Sequence, residues 1–188
     1  MKMNIKHFYQ PTGNSCGPTC LYMVFNYILN SLNDLPFDVE NNVLIDDISN
    51  MCGTDWKVGT PPDRMEKGMK SLGIEYIEYQ SSPRPYELLR QVIDSGNIPI
   101  VRTITNGIPH WIIVKRYNFI HNDRFEILCP SQGEIRYDEK ELDMVWKPRN
   151  YQFFEVKVPN KNNCPQPILE QDYYLKIKNE NTTRNTKE

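Results

Sequence analysis

The sequence predicts an α+β domain with helices first and an antiparallel sheet after them. Three observations carry this. Leu21, Val24, Phe25, Ile28 and Leu29 recur at helical spacing in the first half. The second half is a succession of short β-branched and aromatic runs divided by turn residues. A chain of 188 residues can also bury one core without disulfides or metal.

Each element has its own signal. Gly17 to about Asn30 is a helix, with Pro18 in the first turn where its missing N–H is harmless. Val43–Met51 is a short helix ended near Gly53. Thr60-Pro61-Pro62 opens a third, with Met65, Met69 and Leu72 on one face and Gly73 as its stop. Pro85–Ile93 is a fourth, stopped by Gly96. Residues 98–104 then read as a strand, and Asn106-Gly107 is a strong hairpin signal. Strands follow at 110–117, 125–129 and 134–137, with a polar connection from Asn118 to Arg124. A short helix at 139–146 precedes a last strand at 151–158. Residues 1–158 are expected to form the domain. Residues 159–188 read as a polar tail, with an apolar island at Ile168, Leu169, Tyr173, Tyr174 and Leu175 available for docking.

Composition removes several function classes. There are 22 Lys plus Arg and 24 Asp plus Glu, a formal net charge of −2, so bulk charge gives no case for nucleic-acid binding. The hydrophobic share is 39%, but the chain has no alanine, so the deficit reflects one missing small residue and not disorder. No apolar run approaches membrane-spanning length, and residues 1–7 lack the apolar core of a signal peptide. A cytoplasmic protein with reduced thiols is expected. Its five cysteines, Cys16, Cys20, Cys52, Cys129 and Cys164, include no Cys-x-x-Cys pair, so no structural zinc is expected.

Residues 10–20 are the most informative segment. Cys16 stands in a Gly- and Pro-marked loop directly before an apolar-striped helix, whose N-terminal N–H groups favour thiolate over thiol. Gly17 leaves room for a substrate against the backbone. Gln10 can return its amide toward the thiol, where it and the Cys16 N–H would donate to an oxyanion. The bland alternative is a buried structural cysteine beside a turn-forming glutamine. Cys20, one helical turn on, reads as a core residue.

A cysteine nucleophile needs a base, ordinarily an imidazole held by a third group. Of three histidines, His7 and His121 are expected at the surface, whereas residues 106–109 deliver His110 to the first position of an apolar strand. Pairing of Tyr117 near Phe125 sets His110 opposite roughly residues 129–132. A carboxylate or amide is expected there, but the chain reads Cys129-Pro130-Ser131-Gln132.

The block Gln10…Cys16-Gly17-Pro18-Thr19, followed by Pro109-His110-Trp111-Ile112-Ile113-Val114, resembles the papain-like cysteine peptidases. It is most similar to the double-glycine leader peptidase branch that processes bacteriocin precursors beside ABC transporters. The likeness covers roughly residues 8–158. It implies a papain-like fold with N-terminal helices packed on a C-terminal antiparallel sheet. It further implies Gln10 as oxyanion donor, Cys16 as nucleophile and His110 as general base, with no cofactor or metal. A peptide or protein is the implied substrate, and a transporter a possible partner. The family's third residue is an Asp before Pro; here the pair is Cys129-Pro130. Losing such an orienter can cost about four orders of magnitude in rate.

Three readings of that position stand open. Ser131, Gln132 or a backbone carbonyl holds the ring of an active enzyme; or the domain is a weakened or non-catalytic peptide binder; or Cys129 is regulatory, through a disulfide or a soft metal. The same acyl chemistry also fits a protein deamidase. Trp111 is expected on the sheet face opposite His110, Trp146 as a core or cleft-wall aromatic, and Trp56 as the anchor of an exposed-looking loop, with substrate contact the alternative. The tail's Lys176, Lys178, Arg184 and Lys187 are offset by Glu180 and Glu188 and add nothing toward nucleic acid.

Overall fold

The computed structural model describes residues 3–33, 41–118 and 124–159. His121, Cys164 and the tail beyond residue 159 lie outside the described residues. Helix α1 spans Cys16–Asn33, α2 Asn41–Cys52, α3 Pro62–Ser71, α4 Pro85–Asp94 and α5 Glu139–Trp146. Strands β1 (Tyr76–Tyr79), β2 (Ile98–Thr105), β3 (Ile108–Asn118), β4 (Arg124–Cys129), β5 (Gly133–Tyr137) and β6 (Phe153–Val156) form one antiparallel sheet in the order β1-β6-β2-β3-β4-β5.

The helices and five of the strands match the sequence patterns. β1 does not, because Tyr76–Tyr79 is short and half-exposed at the sheet edge and shows no clean alternation. It exists because the far end of the domain returns to pair with it, Tyr79 facing Phe153 and Tyr76 facing Val156. That partner is more than 70 residues away in sequence, where no local pattern reaches.

Alternation along the strands divides the core in two. Trp111 stacks on Phe154 and donates its indole N–H to the Thr60 carbonyl at 2.7 Å, on the side taken by the loop before α3. Phe153 and Phe125 face the other way, against Trp146 of α5 and Tyr86 of α4. Helices therefore cover both faces, and not one alone. At the hairpin between β2 and β3, Asn106 and Gly107 have φ of 51° and 76°, the left-handed pair that a two-residue turn matching strand twist requires.

Two glycines let the helices approach. A Cβ on Gly17 would lie 2.8 Å from Met65 Sδ and 2.9 Å from Thr60 Cβ, so this residue seats α1 against α3 and leaves no berth for substrate. That corrects the expectation from sequence. A Cβ on Gly68 would collide with the buried Cys52 sulfur and sit 2.9 Å from Leu21 Cδ1. Gly68→Ala should therefore cost about 1–3 kcal/mol through overpacking. Urea unfolding is the check, and an unchanged midpoint would contradict this packing.

Candidate active site

The loop before α1 is knotted by Ser15. Its hydroxyl accepts from the Thr12 N–H at 3.1 Å and donates to the Thr12 carbonyl at 2.9 Å, while its own carbonyl accepts from the Thr19 N–H and hydroxyl. This holds Cys16 at the first position of α1 with 5% exposure. The peptide N–H groups of Trp111, Gly17 and Cys16 itself favour the Cys16 thiolate. Burial is the larger effect and pushes the thiol up. The lowered thiol expected from a helix N-terminus is thus overturned by desolvation. Cys20 and Cys52 are wholly buried, and Cys16, Cys20, Cys52 and Cys129 are free thiols.

Helix α1 packs against β3, and the backbone of Trp111, one residue from His110, is among the groups that favour the Cys16 thiolate. His110 is 7% exposed, and its carbonyl accepts from the Thr103 hydroxyl at 3.3 Å. Its ring Nε2 lies 3.3 Å from the Cys129 sulfur. Continuing the Ile113–Leu128 register places Ser131 opposite His110 and Cys129 two positions along the same face, so the contact is a diagonal cross-strand pair. Among the described residues the ring's hydrogen-bond partner is Cys129, and neither Ser131 nor Gln132 is bonded to it. Ser131 instead reaches the Cys129 sulfur at 3.3 Å, and Gln132 closes the turn with its N–H on the Cys129 carbonyl at 3.2 Å. Among the described residues no hydrogen bond joins Cys16 to His110.

The N-terminal segment completes the arrangement. Gln10 N–H donates to the Pro130 carbonyl at 2.9 Å, and its side-chain Nε2 donates to the Thr12 carbonyl at 2.7 Å. Gln10 Oε1 is buried with no partner among the described residues. His7, expected at the surface, is half-buried with Nε2 2.9 Å from the Cys129 carbonyl, which corrects that reading. Nothing local marked it, since its partner is 122 positions away. Trp56 is also corrected: its ring is 75% exposed, and the loop is anchored by Asn14, which donates to its carbonyl.

Burial lowers His110 to about 4, and among the described residues no carboxylate acts on the ring to oppose it. Thiol and imidazole are therefore both neutral at pH 7. Among the described residues, no group of three or more His, Cys, Asp or Glu is arranged to hold a metal ion, and no helix is long and apolar enough to cross a membrane.

The family model described as the peptidase C39 family matches residues 4–154. The chain belongs to the peptidase C39 family. This C39 chain shares its papain-like fold with the peptidase domain of Streptococcus ComA, a bifunctional ABC transporter involved in quorum sensing. The TM-score there is 0.63 at 18% identity, covering 84% of this chain and 100% of that one. A double-glycine motif protease from an AMS/PCAT transporter, solved with its leader peptide, gives 0.62 at 17% identity over 84% and 94%. A C39-like peptidase from Bacillus anthracis gives 0.59 at 12% over 85% and 97%. No curated protein matches the chain.

The depressed His110 makes stability pH-dependent. The unfolded ring titrates near 6.5 and the folded ring near 4, so between these values the unfolded chain binds the extra proton. The contribution is complete above about pH 6.5 and is lost as pH falls through about 4. Between pH 7 and pH 4.5 the wild type should lose about 2 kcal/mol more than His110→Asn, read by urea titration at both values. Parallel losses would contradict the burial of a neutral ring.

Proposed function

We propose that this C39 chain is a thiol hydrolase acting on a peptide bond through Cys16 and His110. The observation that carries this is the pairing of Nε2 with the third-position side chain. It leaves Nδ1 as the ring nitrogen for the thiol. Because both groups rest neutral, the proton leaves as the attack proceeds. Cys16 passes its hydrogen to His110 Nδ1 while its sulfur bonds to the substrate carbonyl carbon, whose oxygen takes the displaced electron pair. The Cys16 N–H and the Gln10 amide are the donors proposed for that oxyanion; Gln10 has a second Nε2 hydrogen beyond the one given to Thr12. The imidazolium then protonates the departing amine, leaving a thioester that water cleaves with the ring again as base.

An apolar rim supports a peptide substrate. Ile108, two residues before the base, is 66% exposed, as is Tyr9 beside Gln10. A leader peptide with a double-glycine motif, after the name of the transporter-borne relative, is the first substrate to try. A peptide-binding module without turnover is the second reading, favoured by the neutral thiol where an anion would stabilise imidazolium.

Cleavage of such a leader, followed by mass spectrometry, separates the two. Cys16→Ala and His110→Ala should abolish the product. Cys129→Asp should raise the rate about tenfold or more, because a carboxylate stabilises the imidazolium that a thiol does not. The acid limb of the wild-type pH profile should fall near 4 and not near 6.5, since the base must be unprotonated. Binding without a cleaved product, in the wild type and in Cys129→Asp alike, would leave only the binding module.

A further inference from the structure

The Cys129 sulfur lies 3.3 Å from His110 Nε2 and 3.3 Å from Ser131 Oγ. A thiol has one hydrogen to give. Given to Nε2, it requires the ring's own hydrogen on Nδ1, and a neutral ring protonated there has no lone pair for the Cys16 proton. Given to Ser131, it leaves the sulfur to accept an Nε2–H, and Nδ1 keeps its lone pair. An aspartate in this place can only accept, so it permits one tautomer. A thiol permits both.

One feature favours the useful one: Ser131 is exposed, so water can take its hydroxyl hydrogen and leave an oxygen lone pair for the Cys129 S–H. The turn in which the Gln132 N–H bonds to the Cys129 carbonyl, itself held by His7, keeps Ser131 over the sulfur.

We infer that Ser131 is a positioning residue. It accepts the Cys129 S–H, makes that sulfur an acceptor for Nε2–H, and so holds His110 in the tautomer whose Nδ1 serves as base. This rests on the hydrolase reading for its purpose, though the tautomer is measurable without turnover. The chain has three histidines, so ¹⁵N imidazole spectra of the whole protein near pH 7 resolve them by substitution. Wild-type His110 should show a protonated Nε2 and a bare Nδ1. Ser131→Ala should shift the tautomer ratio about fivefold toward Nδ1–H, the worth of one ordinary hydrogen bond. Ser131→Thr, which keeps the hydroxyl, should restore it, and the effect of Ser131→Ala should shrink when Cys129 is replaced by Asp. A wild-type ring protonated at Nδ1, or a ratio unmoved by Ser131→Ala, overturns the inference even if the leader is cleaved. The expected tautomer response in a protein that cleaves nothing supports the inference and removes the hydrolase reading instead.

Discussion

A hydrogen bond between the imidazole of His110 and the sulfur of Cys129, 3.3 Å long and buried, governs what the site can hold. A carboxylate there would supply the negative charge that keeps a thiolate and an imidazolium side by side. A thiol supplies direction without charge. Burial then prevails at both groups, raising Cys16 against the backbone N–H groups that favour its thiolate and lowering His110 to about 4. The pair is therefore buried and neutral at rest.

The surrounding architecture serves that one contact. The β3–β4 register, interrupted by a bulge between Val114 and Arg116, decides which residue of the turn stands beside His110. The N-terminal segment crosses the same turn, with Gln10 on the Pro130 carbonyl and His7 on the Cys129 carbonyl, so both site residues and turn are tied to one piece of backbone. Met3 and Ile5, buried at 1% and 2% exposure, fasten that segment to the core. On the opposite side Gly17 and Thr60 bring α3 under the head of α1, and the Trp111 indole ties Thr60 to the sheet. Cys16 and His110 are carried by different layers, a helix and a sheet, whose spacing these contacts set.

Much of this was legible in the chain. Helical spacing, the Pro-rich starts, the Asn106-Gly107 turn and the Gln10, Cys16 and His110 motifs depend on neighbours within a few residues, and local chemistry dictates them. The hairpin arithmetic even bounded the third position to residues 129–132, because register follows from strand pairing and side-chain alternation. β1 escaped, as did the role of His7, since each depends on a partner 70 or more positions away. Gly17 was read as space for substrate because a glycine beside a nucleophile suggests it; only the packing showed Met65 and Thr60 already there.

The sequence by itself determined the order of the elements, the family and the candidate site residues to look for, all of which are written in short-range pattern and residue type. Tertiary structure alone decided which of Cys129, Ser131 and Gln132 meets the ring, and in which charge state the thiol and the imidazole rest. Both are consequences of burial and of cross-strand geometry. Desolvation in particular is a property of everything packed around a group, and no single residue in the chain encodes it.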